Sequence, residues 1–306
     1  MSARDAFLAA IHEAPDDDAP RLVFADWLEE NGEPERAEFI RIQVEMRREY
    51  EAHGRTERLE ELFIRSREVF YQPWADLVRA AFGRGVGFYS RGFPRHSSAV
   101  YLTAAEAVSG LPALASWLGP LGMVALQDAA GGLKDVAAIE ELRFVRCLEV
   151  QRRPQRDSKP VTDAEVADLV ASPHVAGLRT LELVGHRLGD EAASAIAGSP
   201  WLRQLEVLNL NHNRIGRPGA QSLAAAPGLA SLTHLHLANN QIGDAAVKAI
   251  LHSPYLKGLT TLELRGNSFG RRVSRQIRER FPAPPAEEVT YVHALPPFGR
   301  RPSPLR

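Results

Sequence analysis

Residues that could support catalysis or metal binding are few in this chain of 306 residues. Cys147 is the single cysteine, so an intrachain disulfide and a cysteine-based zinc site are both excluded. The spacings of a phosphate-binding loop, a nucleophile elbow and a two-histidine zinc helix do not occur. The glycine-rich stretch 83–88 lacks the flanking strand and helix that nucleotide binding requires. The sequence therefore predicts no enzyme, no cofactor and no metal site.

The remaining polar candidates have structural interpretations. Asp16, Asp17 and Asp18 are consecutive, and three such side chains cannot easily converge on one ion. They suit the start of a helix, with Asp18 as its N-cap and Pro20 in its first turn. Cys147 falls at a strand position and is interpreted as an ordinary strand residue rather than a nucleophile.

A unit of 27 residues organises the second half of the chain, with copies beginning at Leu178, Leu205, Leu232 and Leu259. Each copy opens with L-x-x-L-x-L, whose alternation predicts a strand with one buried face. Apolar residues three and four apart follow, which predicts a helix with one buried side. A Ser-Pro or Ala-Pro pair then ends the helix. One unit is therefore strand, turn, helix and loop.

The motif L-x-x-L-x-L-x-x-N-x-L-G resembles a leucine-rich repeat, and units of this length with true helices resemble the ribonuclease-inhibitor class. This resemblance implies an α/β fold, a curved solenoid with parallel strands inside and helices outside. Two weaker units begin at Val145 and Leu121. The apolar segment from Leu102 is expected to be an entry helix of the same array.

Asparagines recur at the ninth position of the unit, as Asn213, Asn240 and Asn267. The chain leaves the strand at this point, and an inward amide can satisfy backbone groups that the turn leaves unpaired. We therefore predict a structural asparagine ladder. The pattern lapses at His186 and Arg153, so the ladder is expected to be incomplete towards the N-terminus.

The first 80 residues lack the repeat and are predicted to form short helices. A second helix is expected to bury Val23 and Trp27 among its apolar residues and to end at Asn31. Asp26 is expected to bond a neighbouring backbone group, Arg21 or Arg41.

The stretches FLAAI, PDDD and RLVFADWLEENGEPERAEFIRIQ, within residues 3–47, resemble a small bacterial module called the repeat-companion domain. The resemblance implies architecture and no established activity. The expected domains are an all-α module with a connector helix at 1–82, the solenoid at 83–282, and a Pro-rich tail at 283–306.

Composition restricts the setting of the protein. The chain is 44% hydrophobic and 25% charged, as in soluble globular proteins, and it has no apolar run of about 18 residues. The acidic start lacks the apolar core of a secretory signal. With its single cysteine, these features predict a cytoplasmic protein with no membrane partner. The resemblance to the repeat-companion domain implies that the cell is bacterial.

Function is therefore sought on the concave face, where the third, fifth and seventh positions of each strand point away from the core. This face is polar, mildly acidic and on the order of 20 Å wide at about 4.8 Å per strand, which favours a protein partner over a small molecule. It has no basic stripe, so nucleic acid is not expected. The predicted partner-binding residues are Glu149, Gln151, Glu182, Asn209, Asn211, His234, His236, Asn239, Glu263 and Arg265.

The favoured function is a non-enzymatic, monomeric scaffold for protein–protein interaction. The alternative is a regulator of a small GTPase, because the repeat type is similar to that of Ran GTPase-activating proteins. That alternative rests on fold analogy alone.

Overall fold

The computed structural model describes residues 3–14, 17–54, 56–66, 68–69, 89–90, 93–94, 99–118, 121–152 and 158–281. The glycine-rich stretch 83–88, Arg153 and the Pro-rich tail 283–306 lie outside the described residues. The N-terminal part is helical, as expected, and comprises α1 (Ala3–Glu13), α2 (Ala19–Glu30), α3 (Pro34–His53) and α4 (Glu57–Ser66).

A small apolar core joins the first three helices. Leu8 and Ile11 from α1, Phe24 and Leu28 from α2, and Ile40 from α3 are each at most 3% exposed. Burial of these side chains is the main force that holds three short helices together.

Two details of α2 differ from the sequence-based expectation. Val23 is 53% exposed, because the buried stripe of the helix passes through Phe24, Ala25 and Leu28 instead. Trp27 is half-buried and stacks on Phe24, with ring centroids 6.0 Å apart. The predicted bond of Asp26 is confirmed, since its carboxylate lies 2.6 Å from the Arg41 guanidinium.

Asp18 occupies the N-cap position of α2, but its side chain makes no cap hydrogen bond. Its backbone is already helical, at φ −82° and ψ −21°, rather than in the extended conformation that aims a cap side chain at the first turn. The Asp17 carboxylate instead accepts the Ala19 N–H at 2.9 Å. Asp18 lies 3.4 Å from the Arg48 guanidinium.

Among the described residues, a short antiparallel strand pair, β1 (Tyr89–Ser90) and β2 (Phe93–Pro94), precedes a sheet of seven parallel strands. The sheet strands follow in chain order, so each pairs with the strand of the next unit. Leu208, for example, lies between Leu181 and Leu235. The strands are β3 (Ala99–Leu102), β4 (Leu121–Gln127), β5 (Val145–Gln151), β6 (Thr180–Glu182), β7 (Val207–Asn209), β8 (His234–His236) and β9 (Thr261–Glu263).

The first strand of this sheet corrects the expectation that a helix begins at Leu102. Leu102 ends β3, and α5 (Ala104–Leu118) begins two residues later. Thr103 separates the two elements: its hydroxyl accepts the Glu106 N–H at 3.2 Å, and the Glu106 carboxylate accepts the Thr103 N–H at 2.6 Å. This reciprocal capping box fixes the helix start.

Helices cover the outer side of the sheet, opposite its concave face. They are α6 (Leu133–Ala137), α7 (Asp163–Ala171), α8 (Asp190–Gly198), α9 (Arg217–Ala224), α10 (Asp244–Leu251) and α11 (Arg271–Arg280). Short 3₁₀ turns return the chain to the next strand at Glu140–Phe144, Pro173–Gly177, Pro227–Leu229 and Leu256–Gly258. The architecture is the expected curved α/β solenoid.

The inward leucines of the strands form one continuous core with the helices. Leu208 and Leu235 are fully buried, as the 27-residue register predicts. Leu262, expected to be buried too, is only partly buried. It lies on β9, the last strand of the sheet among the described residues, so one side of it lacks a neighbouring unit.

The helical module contacts the solenoid through Phe39. This residue of α3 is 1% exposed and belongs to the buried cluster of the repeat core rather than to that of the module. At the other end, α11 buries Val273, and its Arg280 guanidinium donates to the carbonyls of Ile250, Leu251 and Leu256. Arg280 thereby satisfies carbonyls at the end of α10 and in the turn that follows it.

Candidate functional site

The concave face of the sheet is the candidate site. On the central strands the fourth position is buried, while the third and fifth positions are partly exposed, as for Glu182, Asn209 and His236. The seventh positions vary: Asn211 is partly exposed, Ala238 is buried and Arg265 is exposed. Except at Ala238, these side chains are therefore at least partly accessible to solvent, while the buried fourth positions fix their strands to the core.

His236, Glu263 and Asn211 form one bonded group on this face. Nδ1 of His236 lies 3.0 Å from Oε2 of Glu263, and Asn211 Nδ2 donates to the same oxygen at 3.1 Å. Burial alone would raise the pKa of Glu263, but these two bonds and the positive charge of Arg265 lower it below its ordinary value. Glu263 is thus held as a stabilised carboxylate.

His234 lies beside this group. Its ring stacks on that of His236, with centroids 6.3 Å apart, and its Nδ1 lies 2.8 Å from the Thr233 hydroxyl. The two imidazoles and the carboxylate form a polar cluster on β8 and β9.

The acidic side chains of β5 and β6 lie in a different environment. On β6, Glu182 accepts a hydrogen bond from Asn209 Nδ2 at 3.2 Å. On β5, Glu149 is hydrogen-bonded by Gln151. Gln151 also accepts a bond from Gln127 at 3.3 Å. Burial raises the pKa of Glu149, although the bond from Gln151 lowers it, and the charge of Glu182 raises it again.

Cys147 lies on β5, two residues before Glu149, and shares this acidic environment. Burial, and then the charges of Glu182 and Glu149, raise the pKa of its thiol to about 12. A thiol with so high a pKa is a poor nucleophile near neutral pH. This agrees with the interpretation of Cys147 as an ordinary strand residue.

The ninth-position asparagines make hydrogen bonds to backbone groups of two units. Asn240 accepts the Ile215 N–H at 3.0 Å and donates to the carbonyls of Leu210 at 2.9 Å and Leu237 at 3.1 Å. Asn213 and Asn267 make the equivalent bonds in the neighbouring units. Each amide therefore joins two units by bonding backbone groups of both.

The expectation that the ladder lapses at His186 is wrong. His186 is 2% exposed; its Nε2 lies 2.8 Å from the Val150 carbonyl, and its Nδ1 accepts the Val161 N–H at 3.2 Å. Neutral imidazole has one donor and one acceptor, so it can satisfy the same kind of backbone groups as an amide. The ladder thus extends one unit further than the asparagines alone indicate.

Asn239 has a backbone role that the sequence did not reveal. Its φ is 54°, and the eighth positions of the other three regular units, Gly185, His212 and Gly266, are also left-handed. Asparagine and glycine adopt this conformation at low cost. The Asn239 amide also lies 3.2 Å from Nε2 of His212.

Two further series of inter-unit bonds were missed in the sequence. In the aspartate series, Asp163, Asp190 and Asp244 accept the backbone N–H of the glycine that precedes the next helix, at 2.7–2.9 Å. In the serine series, Ser172, Ser199 and Ser253, which each follow the helix of their own unit, donate to a final-turn carbonyl of the helix one unit earlier. The 27-residue spacing within each series was the available signal, interrupted at Arg217 and Ala226.

The described residues provide neither a metal-binding cluster nor a membrane-spanning helix. That part of the chain contains no group of three or more His, Cys, Asp and Glu side chains placed to hold a metal ion. None of the described helices has the length and apolar character needed to cross a bilayer.

Comparison with known proteins supports the class of fold. A family model described as Leucine Rich repeat matches residues 178–197, 202–224 and 228–251, which are three consecutive units. Together with the sheet topology, these matches define the solenoid as one of leucine-rich repeats. No curated protein sequence matches the chain.

Solved structures of leucine-rich-repeat proteins are similar at low identity. The crystal structure of the Arabidopsis receptor kinase HAESA in complex with the peptide hormone IDA and the co-receptor SERK1 matches at 18% identity and a TM-score of 0.31, over 53% of this chain and 31% of that chain. The internalin inlF from Listeria monocytogenes matches at 18% identity and a TM-score of 0.29, over 51% of this chain and 52% of that chain. This chain therefore spans about a third to a half of the length of these proteins.

Proposed function

We propose that this chain is a non-enzymatic scaffold that binds a protein partner on the concave face of its solenoid. The observation that carries the proposal is the bonded polar surface across β5 to β9, where side chains such as Asn209, Asn211 and His236 are partly exposed and are hydrogen-bonded to their neighbours. A prearranged surface loses little conformational entropy on docking.

The dimensions and charge of this surface favour a protein as the ligand. Five strands at about 4.8 Å spacing span on the order of 20 Å, which suits an extended or helical segment better than a small molecule. The face combines acidic, amide and imidazole groups, and Arg265 is its only basic residue at the fifth and seventh positions of β5 to β9. Such a face does not match a nucleic acid backbone.

Finer assignments belong to the same proposal. The helical module at 1–82 is proposed to be of the bacterial repeat-companion type, and the repeats at 83–282 of the ribonuclease-inhibitor type, with a tail at 283–306. The protein is proposed to act as a cytoplasmic monomer. The proposed contact residues are those predicted from the sequence, and Asn239 also shapes the turn.

The test compares two double variants of the full chain. His236→Ala/Arg265→Glu alters the concave face, whereas His252→Ala/Arg217→Glu makes the same two changes at exposed positions on the helical side. Proteins captured from the source cells by the wild type are identified, purified and titrated against all three proteins. We expect the concave variant to bind at least about tenfold more weakly, or about 1.4 kcal/mol, with a changed salt dependence, and the control to bind normally. Equal binding by all three would refute the concave assignment.

A further inference from the structure

Two carboxylates of like charge lie side by side on the concave face. Glu149 on β5 and Glu182 on β6 are register partners in the parallel sheet, and both are partly buried. Strands are separated by about 4.8 Å, so the two side chains emerge next to each other. Like charges directly opposite each other on neighbouring strands destabilise a sheet.

The bonds that these carboxylates make are to neutral amides. Gln151 bonds Glu149, and Asn209 bonds Glu182. Among the described residues, neither carboxylate has a Lys, Arg or His nitrogen within ion-pair distance, whereas Glu263 on the same face has His236 at 3.0 Å. Within the described part of the chain, the acidic group at one end of the face is thus bonded by an imidazole, whereas the pair at the other end is bonded only by neutral amides.

The described arginines near this pair, Arg146 and Arg179, make no ion pair with it. Arg179 forms an ion pair with Glu206 in the next unit. Arg146 is 7% exposed, and the charges that act on it most are those of Arg179 and Glu206. The negative charges of Glu182 and Glu149 act instead on Cys147, two residues before Glu149 on β5, and raise the pKa of its thiol.

We propose that Glu149 and Glu182 form the receptor for an arginine or lysine side chain of the protein partner. This inference rests on the proposed function and specifies the chemistry of the partner. A guanidinium can donate in parallel to two oxygens and remains charged at all physiological pH values, so it fits two adjacent carboxylates. Binding such a group would also remove the repulsion between them. A bare metal ion would need more oxygen or nitrogen ligands than this pair supplies.

A random-peptide phage library supplies the probe, because it samples many side-chain chemistries without requiring a purified partner. The library is selected on the wild-type chain and, in parallel, on Glu149→Gln/Glu182→Gln. Glu140→Gln/Glu191→Gln is the matched control, since it removes the same charge from exposed positions outside the concave face. Thermal unfolding of all three proteins establishes that each is folded, and relief of repulsion predicts no loss of stability in the first variant.

We expect peptides selected on the wild type and on the control to be enriched in arginine and lysine relative to those selected on Glu149→Gln/Glu182→Gln. The affinity of a selected peptide should fall at least about tenfold when its arginine is replaced by citrulline, which keeps the shape and removes the charge. The inference is overturned if no selected peptide loses affinity both on Glu149→Gln/Glu182→Gln and on replacement of its own arginine by citrulline.

The outcomes separate this inference from the proposed function. Peptides that lose affinity for His236→Ala/Arg265→Glu but are indifferent to citrulline and to Glu149→Gln/Glu182→Gln overturn the arginine receptor and leave the concave site intact. Peptides whose affinity is unchanged by every concave-face variant overturn both the arginine receptor and the concave binding site.

Discussion

His186 and Asn213 lie one repeat apart, and the side-chain oxygen of Asn213 accepts the His186 backbone N–H at 3.1 Å. The His186 ring in turn bonds the Val150 carbonyl and the Val161 N–H. One of its nitrogens must donate and the other must accept, so the ring has to be neutral. A titratable side chain therefore occupies a place that its neighbouring units give to asparagine.

Acid is expected to destabilise the solenoid through His186. Burial, with a smaller effect of Arg152, lowers the pKa of this imidazole despite its bond to Val150 and the charge of Glu165. Because the folded-state pKa lies below the unfolded value of about 6.5, the unfolded chain binds more protons. The contribution of neutral His186 is therefore fully present above pH 6.5 and is lost as pH falls through the folded-state pKa.

The measurement is the free energy of unfolding in denaturant from pH 7.5 down to pH 5 for the wild type and His186→Asn. Asparagine supplies the ladder bonds without titrating, so the pH dependence of this variant should be shallower. His252→Asn, at an exposed position on α10's end, is the control and should keep the wild-type slope. Parallel curves for all three proteins would contradict the prediction.

The loss of stability caused by truncating a core leucine should depend on the position of that leucine along the array. Leu235→Ala should lower the free energy of unfolding by about 2–5 kcal/mol, because it removes a fully buried side chain and leaves a cavity. Leu262→Ala, the same change at the partly buried last strand, should cost less. Chemical denaturation of both variants tests the order, and a Leu235→Ala effect below about 1 kcal/mol would contradict the register.

The interrupted serine series offers a stabilising substitution. Ser199 and Ser253 bond carbonyls 29 residues earlier, whereas Ala226 occupies the equivalent buried position without a hydroxyl. Ala226→Ser should donate to the Ala197 carbonyl and raise the free energy of unfolding by about 0.5–1.5 kcal/mol. Ser199→Ala should have the opposite effect. Destabilisation by Ala226→Ser would show that its hydroxyl does not reach the carbonyl.

Arg146 should be removable without loss of stability. Burial, and then repulsion by Arg179, lower the pKa of its guanidinium to about 10, and Glu206 only partly offsets this. Arg146→Met keeps the aliphatic packing and removes an expensive buried charge, so the free energy of unfolding should stay the same or rise. Arg179→Met, which breaks the ion pair with Glu206, is the comparison. A clear loss in Arg146→Met alone would reveal a contribution from its charge.

The fold was predictable because its determinants repeat. Leu208 and Leu235 recur at one spacing, and four in-phase copies outweigh the ambiguity of any single strand. The irregular parts were harder. Leu102 belongs to a strand rather than a helix because Thr103 and Glu106 cap the helix that follows, a local bond that apolar spacing does not encode.

The candidate site was predictable as a surface but not as a set of contacts. Alternation shows that Glu149, Glu182 and His236 face away from the core, yet it does not show which of them share a bond. The role of His186 was missed because aligned units were expected to share the same residue, asparagine, at the ninth position. The ladder requires only a hydrogen-bond donor and an acceptor that reach the buried backbone groups, and a neutral imidazole supplies both. The left-handed φ of Asn239 likewise depends on the course of the turn.

The bonds of the Asn, Asp and Ser series join residues that are about one unit apart. An exchange of genetic material that adds or removes one whole unit therefore leaves each donor facing an equivalent acceptor. Removing residues 205–231 would even delete Arg217 and Ala226, the two positions that interrupt these series. The length of the concave face, and with it the length of partner that can be accommodated, can thus change in evolution by steps of 27 residues without redesign of the interior.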